Sequence, residues 1–215
     1  MVVTSDGALG GEENMARDRA LLVAADRGVA GARTYRWSGP WVSLGMSQRA
    51  DRDLLDPNLV PWVLRPTGGK AVLHGHDETI GLAVPLASLG LGPRALKAAY
   101  RAIIEPIVHA LCDCGLPCRL AEGTKFANSG SKTADCFAHT SDNDVVDPVT
   151  GMKVCGCALR LTEHAVLVQA SIPNGVPLAD PQRLFKHPAV VRASSWRGED
   201  LAAALNLRLT ETGWF

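Results

Sequence analysis

Three stretches of the sequence bring together residue types that could do chemistry. The first is Arg65-Pro66-Thr67-Gly68-Gly69-Lys70-Ala71-Val72-Leu73-His74-Gly75-His76-Asp77, set between the apolar runs Val60–Leu64 and Ile80–Leu86. Glycine lacks a Cβ and enters positive φ readily, so a Gly-Gly pair lets backbone amides turn towards a ligand. Here the pair lies between two cations, with two histidines and an acid close behind. The same composition also suits a tight turn between strands with its charges in water. The second stretch centres on Cys136, which follows the polar run Gly123–Ala134 and sits between Asp135 and Phe137. A thiol becomes a nucleophile where nearby positive charge favours the thiolate, and Lys125, Lys132 and Lys153 are possible sources. The plainer reading is an inert, half-buried cysteine. The third stretch is Gly151–Arg160 followed by Gln169-Ala170-Ser171-Ile172. If Met152–Leu161 is a strand, Lys153, Cys155, Cys157 and Leu159 share one face and Val154, Gly156 and Ala158 the other. Small residues clear space beside such a strand, and Gly156 permits close backbone approach. A lysine at the edge of that space can reach an anion or polarise a carbonyl, although a solvated lysine after a turn fits as well.

The elements that must position these residues can be read from periodicity. Glu12–Gly28 shows a helical stripe of Met15, Leu21, Leu22 and Ala25. Arg33–Trp37 and Trp41–Gly45 read as strands around the turn Ser38-Gly39-Pro40, which suggests a hairpin. Arg49–Leu55 reads as a short helix and Ile80–Leu86 as a strand. Arg94–Cys114 is the longest helical segment, with Leu96, Tyr100, Ile103, Ile104, Ile107 and Leu111 recurring at three and four. Pro106 inside it predicts a kink or a restart, and Gly115 ends it. Met152–Leu161 and Ala165–Ile172 form a predicted hairpin. A Pro188-bounded apolar strand and a helix over Glu199–Leu207 close the chain. Strands and helices are partly segregated with no regular βαβ rhythm. The fold class is therefore α+β, a mixed and largely antiparallel sheet packed by helices, in a single domain over 1–215.

Composition narrows the classes. The 215 residues are 47% apolar and 20% charged, with 22 basic and 22 acidic side chains. These are globular values, and the neutral total argues against bulk nucleic-acid or membrane binding. No apolar run is long enough for a membrane span, and the acidic N-terminus has no basic leader, so a cytoplasmic protein acting as a monomer is expected. The six cysteines, Cys112, Cys114, Cys118, Cys136, Cys155 and Cys157, are then expected to be thiols. Cys112-x-Cys114-x₃-Cys118 lacks the paired spacing of a zinc site, so no metal is expected.

Taken in order, the motifs form a set spread over more than a hundred residues. They are Arg65-x-Thr67-Gly68-Gly69-Lys70-Ala71-Val72-Leu73-His74, Cys136-Phe137, Gly151-x-Lys153-Val154-x-Gly156-x-Ala158-x-Arg160 and Gln169-x-Ser171-Ile172. The set resembles the biotin/lipoate protein ligase superfamily, in particular lipoate–protein ligases and the cysteine-dependent octanoyltransferases. Asn14-Met15-Ala16, Asp18 and Trp41–Gly45 agree with it, and the resemblance covers roughly residues 14–175. It implies a mixed sheet around a pocket for a fatty acyl or lipoyl chain. ATP-dependent ligases usually carry a third glycine where this chain has Lys70, and they need no cysteine at position 136; both points favour the transferase. The resemblance then implies octanoyl transfer from acyl carrier protein, through a Cys136 thioester, to a lysine of lipoyl domains of 2-oxoacid dehydrogenases or glycine-cleavage H protein. Cys136 and Lys153 would be catalytic. Arg65, Gly68, Gly69, Lys70, Ala71, His74, Gly156 and Ala158 would bind substrate, amides near Gly68-Gly69 would meet oxyanion charge, and Val72-Leu73 would help line the acyl slot. His74 or His76 would relay protons. No cofactor is implied. The alternatives are an ATP- and Mg-dependent lipoate–protein ligase and a non-catalytic acyl-binding protein. The chain departs from the family in having no aromatic residue near Ile80-Gly81, in Cys155 and Cys157, and in its short length for a transferase.

Overall fold

The computed structural model describes residues 3–131, 133–190 and 195–214. In chain order the elements are β1 (Thr4–Leu9), α1 (Gly11–Asp26), β2 (Gly31–Trp37), β3 (Trp41–Leu44), α2 (Ala50–Asp53), β4 (Trp62–Leu64), β5 (Val72–His74), β6 (Asp77–Pro85), α3 (Leu96–Asp113), β7 (Arg119–Leu120), β8 (Ser129–Gly130), β9 (His139–Thr140), β10 (Val145–Val146), β11 (Lys153–Leu161), β12 (Ala165–Pro173), α4 (Pro181–Leu184) and α5 (Leu201–Thr210). A seven-stranded sheet runs β1-β2-β6-β12-β11-β10-β7, and a three-stranded sheet runs β4-β3-β5. Among the described residues, the strand pairs β1–β2 and β3–β4 are parallel and the others antiparallel. The fold is thus the mixed, largely antiparallel α+β arrangement expected from the sequence.

Alternation along β6 and β12 explains the layering. Ile80, Leu82 and Val84, with Val166, Val168, Ala170 and Ile172, face α3 and α5, where Ile103, Ile104, Ile107, Leu111, Leu201, Leu205 and Leu209 complete the main core. The opposite face carries small residues such as Gly81 and Ala83, and α1 lies close against it through Leu22 and Ala25. The β3–β5 sheet builds its own core from Val42, Leu44, Leu73, Leu184 and Phe185. The functional cavity lies between this small sheet and the α1 face of the large one.

Four expectations need correction. First, β2 and β3 do not form a hairpin. Ser38 N donates to Leu9 O at 2.8 Å, which prolongs β1 pairing, and the chain then passes into the other sheet. Trp37 and Trp41 meet through their rings, 6.4 Å apart, and not across a strand ladder. Second, β1 is an additional strand. It is an edge with a largely exposed pattern, so no alternation marks it. Third, α3 neither stops nor restarts at Pro106 but runs from Leu96 to Asp113. It closes at Gly115, with Leu116 N bonded back to Leu111 O. Fourth, Ala189 and Val190 form no strand after Pro188, and the rest of that predicted segment, 191–194, lies outside the described residues.

Candidate active site

Cys136 is hung from the first motif by its backbone. Cys136 N donates to Ala71 O at 2.8 Å, Ala71 N donates to Ala134 O at 2.8 Å, and Ala71 bridges Asp135 in parallel register. The Asp135 carboxylate fixes the following turn by accepting from Phe137 N at 2.9 Å and Ala189 N at 2.7 Å. Its two oxygens are therefore turned onto amides, although burial pushes its pKa up.

Lys153 reaches the same point from β11. Its Nζ donates to Cys136 O at 2.8 Å, Cys136 Sγ at 3.3 Å and His139 O at 3.3 Å, and pairs with Asp144 Oδ1 at 2.9 Å. The lysine side chain is 4% exposed and that of Asp144 6%. Burial alone would favour the neutral amine, but the sulfur and the carboxylate outweigh it and hold the ammonium charged. Strict alternation would put Lys153 on the face of Cys155 and Cys157. The ladder with β10 instead pairs Val145 with Cys155 and Val146 with Lys153, so β11 carries one extra residue, Val154. This bulge re-aims Lys153 to the Gly156 side.

Gly156 leaves room for the pair. A Cβ there would lie 3.3 Å from Cys136 Sγ, 3.4 Å from the Phe137 ring and 3.5 Å from Lys153 Cε. Such contacts are tight enough to move the sulfur. Beside it runs a narrow cavity lined by Met15, Tyr35, Trp37, Val72, Ala158 and Ala170, with Arg65, His74, Cys136 and Gly156 also in its wall.

The polar side chains of that wall bond to one another. Arg33 Nη1 and Tyr35 OH donate to Asp18 at 2.8 and 2.7 Å, and Gln169 Nε2 donates to the same carboxylate at 2.5 Å. Thr67 Oγ1 donates to Gln169 Oε1 at 2.7 Å and accepts from Arg65 Nε at 3.1 Å. Further round, Ser43 Oγ lies 2.8 Å from His74 Nε2, and His74 Nδ1 lies 2.7 Å from Asp77 Oδ2. With Nδ1–H donated to the aspartate, Nε2 accepts the serine hydroxyl. Ser171 and Thr79 also donate to Asp77, and Trp37 stacks on His74 with ring centres 3.9 Å apart. The hydrogen-bonding groups are thereby satisfied in the wall, and the space they enclose is suited to an apolar chain.

The predicted residues divide accordingly. Cys136, Arg65, His74, Gly156 and Ala158 share the cavity, and Lys153 borders it through the sulfur. Gly68 and Gly69 line a neighbouring groove with Ala158, Leu159, Leu96 and Tyr100. The Gly68 amide donates to Leu159 O at 3.3 Å and so faces β11. Gly69 adopts φ +86°, as the turn requires. Ala71 is fully buried, and its backbone holds Cys136. Lys70 Nζ is buried with no hydrogen-bond partner among the described residues. His76 is outside the cavity wall, and burial lowers its pKa. Lys125 lies over the Phe126 ring, 5.2 Å away, and Lys132 lies outside the described residues. Sequence reasoning missed Asp144, Asp77 and Ser43. Asp144 is one of several acids in a polar run, and only the bulge brings Lys153 to it. All six cysteines are free thiols, and the described residues contain no group of three or more metal-ligating side chains. No helix among them is long and apolar enough to cross a membrane.

Comparison with known proteins decides the family. The lipoyl protein ligase A/B catalytic domain matches residues 11–197. The chain belongs to this family. Within it, the chain is 34% identical over 183 residues to an octanoyltransferase LipM of Exiguobacterium sp., a match covering 80% of this chain and 64% of that protein. It is 34% identical over 197 residues to an octanoyltransferase LipM of Kyrpidia tusciae, covering 87% of this chain and 68% of that protein. The chain therefore spans about two-thirds of the length of these relatives. Among solved structures, a putative lipoate protein ligase of T. acidophilum with bound lipoic acid superposes with a TM-score of 0.72 at 20% identity, over 98% of this chain and 85% of that one. Lipoate-protein ligase A bound with ATP superposes with a TM-score of 0.68 at 19% identity, over 98% and 83%. At these identities the superpositions establish the lipoyl-ligase fold. Membership places the chain among the acyltransferases and ligases of lipoate metabolism.

Proposed function

We propose that this chain is an octanoyltransferase that works through an acyl-enzyme on Cys136. The single observation that carries the reading is Cys136 Sγ lying 3.3 Å from the buried Lys153 ammonium, beside a narrow apolar cavity. A ligase that activates its acid with ATP needs no nucleophilic sulfur at that place.

In the first step the Cys136 thiolate attacks the carbonyl carbon of an octanoyl thioester on acyl carrier protein. The new S–C bond forms, the carrier's S–C bond breaks, and the carrier thiolate leaves and takes up a proton. In the second step the neutral amine of an acceptor lysine attacks the Cys136 thioester, and the amide forms as Cys136 leaves as thiolate. The amine's proton passes to solvent. Splitting the transfer in this way replaces one difficult step by two easier ones. Lys153 stabilises the charge on sulfur at both ends of the cycle, and the octanoyl tail lies in the cavity between Met15, Trp37 and Ala158. The acceptors in this reading are lipoyl domains of 2-oxoacid dehydrogenases or glycine-cleavage H protein. No cofactor takes part.

The test is incubation with octanoyl-carrier protein and an apo-lipoyl domain, with and without ATP, followed by mass spectrometry. Octanoylation independent of nucleotide and abolished in Cys136→Ala is expected. Modification that requires ATP and survives Cys136→Ala would sink the proposal in favour of a ligase. No modification under either condition would favour an acyl-binding protein.

A further inference from the structure

Two cations stand beside the cavity at Cys136, and they differ in one respect. Lys153 has a counter-charge, Asp144, at 2.9 Å. That carboxylate offsets part of the ammonium's charge. Arg65 has no such counter-charge. Its guanidinium is buried and its five N–H donors all end on neutral oxygens. Nε bonds Thr67 Oγ1 and Gly68 O, Nη1 bonds Ser43 O and Oγ, and Nη2 bonds Gly68 O and Lys70 O at 2.6 Å each. No carboxylate among the described residues accepts from it. Burial lowers its pKa to about 10, and Cys136 opposes that shift, so the group stays charged at neutral pH.

Of the remaining charged and titratable groups around Cys136, Lys70 has a buried Nζ with no hydrogen-bond partner among the described residues, and the others are engaged elsewhere. Asp135 accepts from two amides and has Lys70 and Lys153 as its electrostatic partners. His74 is held between Ser43 and Asp77, and Asp18 is paired with Arg33. His139 offers its carbonyl to Lys153. Cys157 shares the cavity wall with Cys136, but its thiol lies 3.5 Å from that of Cys155. Arg65 is also mechanically linked to the nucleophile. It holds the carbonyl of Lys70, and the next residue, Ala71, holds the amide of Cys136.

We propose that Arg65 is a positioning residue for Cys136, its guanidinium, which has no carboxylate partner, adding to that of Lys153 the charge that favours the thiolate. This rests on Cys136 being the nucleophile. It reassigns Arg65 from contact with substrate to preparation of the sulfur.

The test is the rate of Cys136 alkylation by iodoacetamide as a function of pH, read by peptide mass spectrometry on the full chain. Arg65→Gln should slow labelling at neutral pH about tenfold and move the midpoint up by about one pH unit, as loss of one nearby opposite charge does. Arg65→Lys loses most of the loop bonds but keeps the charge, and should restore most of the rate. Asp144→Asn should speed labelling by unmasking Lys153. Equal slowing in Arg65→Gln and Arg65→Lys, or no slowing in Arg65→Gln, would overturn the proposal. Should Arg65→Gln fail to fold, Arg65→Lys decides: labelling within about threefold of the parent supports the role of the charge, and slowing of about tenfold contradicts it. Labelling needs no acyl donor. A charge response without any octanoyl adduct would therefore refute the transferase and leave the role of Arg65 standing.

Discussion

The two walls of the cavity handle polarity in opposite ways. On the Asp18–Gln169–Thr67–Arg65 wall, buried donors and acceptors meet one another. That wall is rigid and offers a substrate little beyond shape. On the β11 wall, Cys136 is half-exposed, Gly156 contributes no side chain, and the sulfur accepts a single contact from Lys153. On the function proposed above, the reacting sulfur belongs to this second wall. Apart from Arg65, whose charge acts on the sulfur, substitutions on the first wall should therefore cost stability, and those on the second should cost chemistry.

The strongest challenge to that contrast is Lys153→Met. It removes the sulfur's cation and leaves Asp144 buried and unpaired. Transfer should fall at least a hundredfold, and stability in urea should fall by about 3–5 kcal/mol. Adding Asp144→Asn should return most of the stability and none of the activity. Recovery of both would show that Lys153 is only structural. On the other wall, Gln169→Leu leaves Asp18 and Thr67 short of a partner and should cost about 1–3 kcal/mol in the same denaturation assay. Its transfer rate, measured on folded protein, should stay within about tenfold of the parent's. A larger loss would mean that this wall also takes part in the chemistry.

Gly156→Ala sharpens the comparison in the reverse direction. The added methyl lies within ordinary or slightly tight contact of three groups, so stability should change by less than about 1 kcal/mol. Displacing the sulfur by a few tenths of an ångström should still lower transfer about tenfold. The smallest effect is at Glu78, on the far face of β6. Burial pushes its carboxyl up to about 7 from an ordinary 4.5. The folded chain then binds more protons than the unfolded one across that window, so stability falls as pH rises from about 4.5 through about 7. Glu78→Gln should flatten this slope in thermal melts, and any decline that persists belongs to other groups.

Much of this architecture is visible in the sequence. The stripes of α1 and α3 and the β11–β12 hairpin follow from periods that burial enforces. Cys136 and Lys153 are singled out by their chemistry and by the order of the motifs around them. What stayed hidden depends on long-range register. The bulge at Val154 exists only because β10 pairs with β11 out of step, and it alone turns Lys153 towards Cys136 and Asp144. The turn at Ser38-Gly39-Pro40 carries local hairpin chemistry, but β2 already has β1 and β6 as neighbours. The Ser43–His74–Asp77 array joins residues of three strands, and only His74 of the three stands out alone. Arg65 reads in the sequence as a ligand for substrate, and only the fold shows that its hydrogen bonds run to its own loop and to Ser43.

The central claim is that the acyl group rests on Cys136 on its way to the acceptor. The most direct measurement is to isolate the octanoyl-enzyme free of donor and nucleotide and mix it with an apo-lipoyl domain. Stoichiometric loss of octanoyl from Cys136, matched in time by gain on the domain, is the predicted result. An octanoyl-Cys136 that remains in place while fresh donor still drives octanoylation would contradict it.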